Sequence, residues 1–265
     1  MEYVPERVRR YWLYQFRLGK EYIIPLLQQW GVRINGAFVL DIGCGQGGVV
    51  CAFAEAGARC IGLELKSKRA LEAKKLIPCK LEGKIDLIAG DFFALPLNLN
   101  GRFPDIILLR DVFEHLSDKG SALRQLKKLM GFDTRLFVTF PPFCSAFGGH
   151  QQMLRSFLKY IPYFHVFPEP LWDVVREIAR QCDANFPFFK EIERLRANPT
   201  LIGRFRRMLK GSGLRVVKER YYLIRPSHHL RYGLPVVHGG ILGKIGGIRE
   251  FVVTGAFFLI ARRDG

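Results

Sequence analysis

Long apolar runs are missing from this 265-residue chain; the longest near the C-terminus, Phe251 to Ile260, covers only about half of what a membrane-spanning helix needs. The N-terminal residues lack the apolar centre of a secretory signal and hold Glu2, Glu6 and several arginines in its place. The expected location is therefore cytoplasmic, with peripheral contact at a membrane left open. Paired cysteines are also missing. The six at 44, 51, 60, 79, 144 and 182 form no C-x-x-C pair and no other metal spacing, which predicts reduced, mostly structural thiols. Acidic residues are scarce beside basic ones, 24 against 41, leaving a net charge of +17. Such a field concentrates anionic ligands, whether phosphorylated metabolites, nucleic acid or an acidic membrane surface, without choosing among them. Neither end carries an aromatic and basic RNA-binding module, so nucleic acid is the less favoured partner.

What the chain does have is an apolar run that ends in an acid and then in clustered glycines: Val39-Leu40-Asp41-Ile42-Gly43-Cys44-Gly45-Gln46-Gly47-Gly48. That order describes a buried strand, a tight turn and a helix start. Glycines at 43, 45 and 47 let the backbone approach a ligand closely, and the N–H groups of the next helix point at the same spot. Gly43, Gly45 and Gly48 also satisfy G-x-G-x-x-G, which admits a nicotinamide or flavin dinucleotide. Asp41 argues against it, because a carboxylate there would face an anionic pyrophosphate and suits a ligand with a cationic group. Further apolar runs end in Glu64, in Gly90-Asp91-Phe92-Phe93, and in Arg110-Asp111-Val112-Phe113-Glu114-His115-Leu116. Glu64, about 20 positions beyond the turn, fits a ribose acceptor under either reading. The nicotinamide reading gives Asp41 and Asp91 no task.

In order and spacing these segments, across residues 37 to 140, resemble the class I S-adenosylmethionine (SAM)-dependent methyltransferases of the small-molecule type. The resemblance implies a Rossmann-like, doubly wound, mostly parallel seven-stranded sheet with an antiparallel last strand. It implies SAM as cofactor, with Asp41, Gly43, Cys44, Gly45 and Gly47 at its methionine end and Glu64 with Leu65 at the ribose. Asp91 would accept from the adenine amino group with Phe92 beside the ring, and Arg110 and Asp111 would lie under the sulfonium.

Length and composition suit a single domain over 1–265, since 265 residues with 49% hydrophobic content can bury a large core. Residues 1–36 read as a helical extension, because apolar and aromatic positions recur at helical spacing among arginines; it is expected to pack over the cofactor mouth. Residues 37–142 alternate strand and helix, which implies a parallel sheet with right-handed crossovers. Asp118 is an N-cap candidate for a helix through about Met130, and Arg135 to Phe140 reads as the fifth strand, stopped by Pro141-Pro142. From 143 to 200 the alternation breaks into prolines and aromatics around one helical stretch, Leu171 to Cys182, a substrate lid inserted after the fifth strand. Residues 201–265 read as a helix, a strand over Leu214 to Ile224 and a final strand over Phe251 to Ala261, with an apolar, glycine-rich loop between the two strands.

A methyl on a sulfonium is already activated, so the protein mainly aligns a nucleophile and handles its proton. His150, beside Gly148-Gly149 where the lid opens, is the candidate base, because imidazole titrates near neutral pH and the two glycines would let it approach. His115 is the second catalytic candidate. Asp111-x-x-Glu114-His115 with a later histidine resembles the metal-binding set of small-RNA 2′-O-methyltransferases and some ubiquinone-pathway O-methyltransferases, with Asp in place of the first Glu. That raises the alternative of a divalent ion held by Asp111, Glu114, His115 and His150. The expected activity is methyl transfer to oxygen on a small-molecule, saccharide or lipid-linked acceptor, anionic acceptors included. The alternatives are an RNA methyltransferase, a SAM-binding protein without turnover and an NAD-dependent oxidoreductase.

Overall fold

A computed structural model describes residues 4–94 and 101–263; Glu2 lies outside them. Helix α1 (Glu6–Leu18) continues through a π-helical turn, Gly19–Ile23, into α2 (Ile24–Gln29). The first strand, β1 (Phe38–Ile42), then leads through the glycine turn into α3 (Gly48–Glu55). Helix α1 lies directly on α3 because a glycine starts the latter. A Cβ at Gly48 would sit 2.4 Å from the Trp12 carbonyl oxygen, so any larger residue would lift α1 off the glycine turn.

Strands β2 (Arg59–Glu64), β3 (Ile85–Ala89), β4 (Ile106–Arg110) and β5 (Arg135–Phe140) run parallel to β1. Helices α4 (Ser67–Leu76) and α5 (Lys119–Lys128) lie between β2 and β3 and between β4 and β5. Asp118 caps α5 as its sequence position predicts, accepting from the Ser121 N–H at 2.8 Å. Strands buried on both faces need continuous apolar runs, which is why Ile106 to Leu109 are all fully buried.

The sheet has eight strands rather than the expected seven, in the order β3-β2-β1-β4-β5-β8-β6-β7. The long β6 (Leu214–Ile224) and the last strand β8 (Gly255–Arg262) pair antiparallel, and β8 also runs antiparallel to β5. The additional strand, β7 (Val237–His238), is two residues long and pairs with the end of β6; two residues show no periodicity for a sequence to reveal. The final strand begins at Gly255 instead of Phe251 because a short helix, α10 (Gly246–Val252), takes up the preceding residues.

Residues 143–200 hold two α-helices where the sequence suggested one, α6 (Glu169–Cys182) and α7 (Phe186–Ala197). Pro170 and Pro187 stand in their first turns, where the missing N–H costs nothing, so prolines that read as breakers here start helices. The segment has its own apolar cluster, with the Trp172 and Phe189 rings stacked at 4.9 Å and both fully buried. Asp183 ties it together by accepting from the backbone N–H groups of Arg155, Ser156 and Asn185. Beyond it, α8 (Ile202–Gly211) packs on β6, and α9 (Pro226–Tyr232) follows directly from the end of β6. Because β6 is parallel to β1 through β5, α9 emerges at the edge where the glycine turn lies. The order reverses between β1 and β4, which opens a crevice there. Among the described residues no helix is long and apolar enough to cross a membrane.

Candidate active site

The glycine turn is fixed by the end of β2. Gly43, Gly45 and Gly47 all have positive φ, between 59° and 77°, which side chains rarely tolerate. The N–H groups of Gly43 and Cys44 donate to the Leu63 carbonyl at 2.7 and 3.0 Å, and that of Gly45 donates to the Glu64 carboxylate at 2.9 Å. The other Glu64 oxygen accepts from the Lys66 N–H at 3.0 Å, so Glu64 braces the turn and faces the same crevice. Leu65 beside it is 64% exposed. The Gly90 N–H donates to the Glu64 carbonyl, setting the end of β3 alongside, where Asp91 accepts from the Phe93 N–H at 2.9 Å and Phe92 is nearly buried. Cys44 contributes backbone only, since its side chain is fully buried against Gly62 and burial pushes its thiol well above the ordinary range.

Asp41 is buried with one oxygen 3.4 Å from the Arg110 guanidinium and the other without a hydrogen-bond partner. Burial raises its pKa, and Arg110 offsets this only in part. For Arg110, burial acts to lower the pKa but Asp41 and Asp111 outweigh it. An unsatisfied buried carboxylate oxygen is costly unless a cation or donor completes it. The ammonium of an amino-acid ligand would do so, and the residues around the turn fit the methionine end of SAM.

Helix α1 roofs this end. Gln15 is buried with its amide nitrogen 3.0 Å from where a Cβ on Gly45 would stand, and the Tyr14 ring lies 4.4 Å from the Arg231 guanidinium. Asp111 ends β4 in the left-handed region, φ 51°, a conformation Asp tolerates better than most residues. It accepts from Arg225 Nη1 at 3.1 Å and Thr139 Oγ1 at 3.3 Å. Burial pushes its pKa up, but Arg225, then His150 and Arg110, outweigh that and hold it below the usual carboxylate range.

Beyond Asp111 opens a cavity of about 430 Å³, lined by His150 and Ser145, by the cations Lys159, Arg225 and Arg231, and by Phe147, Tyr160, Tyr232 and Leu234. His150 also sits in the left-handed region, φ 59°. Gly148 and Gly149 position it by packing rather than by flexibility. A Cβ on Gly148 would lie 2.3 Å from two backbone oxygens, and one on Gly149 would lie 2.6 Å from the His165 ring. His165 is fully buried, with Nε2 2.6 Å from the Phe143 carbonyl, and burial lowers its pKa to about 4.

His150 Nε2 lies 3.6 Å from a Glu114 oxygen, and its ring is 5.0 Å from that of His115. His115 pairs with Glu191 of the lid at 2.9 Å; burial opposes its protonation, but Glu191 and Glu114 raise its pKa overall. His115 is not among the residues lining the cavity, unlike its fellow candidate His150. Glu114, His115 and His150 bring ligand atoms within 4.8 Å of one another; Asp111, expected in the same set, stands outside the group and is held by Arg225 instead.

Sequence reasoning missed Tyr14, Gln15, Arg225, His228 and Arg231. The signal for the last three was present in Arg225-Pro226-Ser227-His228-His229-Leu230-Arg231-Tyr232, a basic and aromatic cluster just after a strand. His228 faces the same cavity, and burial, then Arg225 and Arg231, lower its pKa to about 4.

Sheet order, glycine turn and acidic residues are similar to those of the class I SAM-dependent methyltransferases, whose cofactor is SAM. Residues 40–137 match the model of a methyltransferase domain. A protein of Mycobacteroides abscessus named as an uncharacterized methyltransferase is 28% identical over 127 residues, and the match spans 48% of either chain, about half the length of that relative. Among solved structures, the fold is similar to the magnesium protoporphyrin IX methyltransferase of Synechocystis PCC 6803 with bound SAH. That match has a TM-score of 0.53 and 14% identity and covers 99% of this chain and 90% of the other. It is also similar to the plantazolicin methyltransferase BamL in complex with a triazolic desmethylPZN analog and SAH, with a TM-score of 0.59 and 14% identity over 98% and 92% of the two chains. The nicotinamide reading falls with these matches.

Proposed function

We propose that the protein moves a methyl group to an oxygen of a small-molecule, saccharide or lipid-linked acceptor that carries negative charge and an apolar body. The cavity beside Asp111 carries this reading, because its wall combines three cations with aromatic and aliphatic side chains next to a histidine. Bound SAM supplies a methyl already activated on sulfur. Asp41 and the turn over Gly43, Cys44, Gly45 and Gly47 would hold its amino-acid end, Glu64 and Leu65 its ribose, and Asp91 and Phe92 its adenine. Arg110 partly offsets the burial that raises the pKa of Asp41, and Asp111 lies between the two ends of the crevice.

Arg225, Arg231 and Lys159 would anchor the acceptor's anionic group through charge-assisted hydrogen bonds. His150 would take the acceptor proton, with Glu114 stabilising the imidazolium that results. His115, tied to Glu191, is a positioning residue behind His150. The test is untargeted mass spectrometry of a cell extract incubated with the protein and methyl-labelled SAM. A labelled acidic product that retains the label through O-demethylating treatment supports N- or C-transfer instead, and no labelled product from any extract removes the reading in favour of a SAM-binding protein without turnover.

One observation favours a second, metal-assisted reading. Both Glu114 oxygens and His150 Nε2 are buried without hydrogen-bond partners, and with His115 they present one oxygen and two nitrogen donors at ligand spacing. A divalent ion held there would lower the pKa of an acceptor hydroxyl. Exhaustive chelation should then abolish turnover, with cobalt restoring it and giving a visible absorption band. Turnover and metal content unaffected by chelation dismiss this reading.

A further inference from the structure

The stretch between β6 and β8 is rich in exposed apolar side chains. Tyr232, Leu234, Ile241, Ile245, Ile248 and Phe251 are each between 43% and 77% exposed, and α10 has no buried residue at all. Six glycines between 233 and 247 leave these residues few side chains of their own to pack against. Exposed apolar side chains concentrated in one segment mark an interaction site. The charges around it have one sign. From 226 to 252 the charged residues are Arg231, Lys244 and Arg249 against a single acid, Glu250. The Glu250 carboxylate is already committed, accepting from the N–H groups of Ile202 and Gly203 at 2.8 and 2.9 Å.

This surface joins the acceptor cavity. Tyr232 and Leu234 belong to both, as does Tyr160 from the lid, which is 72% exposed with Lys159 placed over its ring. Tyr163 of the lid donates to the Phe251 carbonyl at 3.2 Å, so lid and loop form one rim. We propose that this rim is a membrane-docking surface: its apolar side chains enter the interface of a bilayer rich in anionic phospholipid while Lys159, Arg231, Lys244 and Arg249 contact the headgroups. Charge complementarity selects that occupant. A second copy would bring cation-edged faces together in a chain of net charge +17. Tyrosines and basic side chains around an aliphatic strip are the residues that settle at a lipid–water boundary. The cavity mouth would then open toward the bilayer.

Binding to vesicles requires no turnover, so this inference stands or falls apart from the methyl-transfer reading. The test is co-sedimentation of the full chain with phosphatidylcholine vesicles, with and without phosphatidylglycerol. Binding is expected only to the mixed vesicles, weakening as salt screens the headgroups. Lys244→Gln and Arg249→Gln should each lower the partition coefficient about fivefold, the worth of one surface cation at an anionic membrane. The double variant Ile241→Asp, Ile248→Asp should abolish binding with an unchanged melting temperature, because both positions are exposed. Absence of binding at low salt overturns the proposal. So does binding that falls with salt yet ignores the double variant, which would be general charge attraction, or a dimer in light scattering that the double variant dissociates, which would make the rim a self-association face.

Discussion

At the cofactor end of the cleft the turn that shapes the site is one continuous segment, residues 39–48, braced by the end of β2, whereas at the acceptor end the site is made of side chains gathered from distant segments. The amides of Gly43, Cys44 and Gly45 donate to Leu63 and Glu64, which fixes the turn. His150 and Lys159 come from the lid, Arg225 from the junction of β6 with α9, and Arg231 from α9. A site built on one local turn depends on a few glycines and the acids at the neighbouring strand ends, and side-chain change elsewhere leaves it intact. A site built from side chains can be given a new specificity while the cofactor end stays as it is. The contrast also separates two kinds of damage, which the following variants should distinguish.

The largest effect belongs to the cofactor end. Asp41→Ala leaves the buried Arg110 charge unpaired, which should cost about 3–5 kcal/mol of stability, and should abolish the thermal shift induced by SAM. If the protein still gained stability from SAM, Asp41 would have no part in holding it. Next, His150→Ala should lower turnover about 10²–10⁴-fold with the SAM-induced shift unchanged. Near-normal turnover would erase the distinction between the two ends at its most sensitive point.

Acidification should reveal how the lid is held. The folded pKa of His165 is depressed to about 4 from the ordinary 6.5, so the stabilising contribution is complete above about pH 6.5 and declines as pH falls toward 4. Linkage puts the total at about 3 kcal/mol, and His165→Gln should flatten that part of a stability curve measured by denaturant titration between pH 7 and 4. A curve of unchanged slope would mean that His165 is not held neutral.

The smallest effect concerns acceptor recognition. Arg231→Met should raise KM for an anionic acceptor about 10–100-fold, the worth of one hydrogen bond to a charged group, with little change in kcat or in SAM binding. An equal loss for a neutral analogue would show that Arg231 packs against Tyr14 rather than reads charge.

Much of the sheet could be read from the chain. Runs such as Ile106 to Leu109 are apolar without interruption because both faces are covered, and Leu214 to Ile224 is a strand over the whole predicted length. The second lid helix escaped because Pro187 reads as a breaker until its position at the helix start is known. β7 escaped because its two residues are strand only by pairing with β6. The same division runs through the site: Asp41 and the glycines were legible, while Gln15, Arg225, His228 and Arg231 were not.

The order of residues alone settled the strand–turn–helix at 38–55, with its positive-φ glycines and its acid, because backbone sterics and side-chain periodicity act over a few neighbours. Only the tertiary structure decided that α9 meets the lid across the end of β4. That meeting follows from β8 lying between β5 and β6 and from the lid closing on its own apolar cluster. Both are contacts between segments far apart in the chain, and local pattern carries no record of which distant partner a surface will bury.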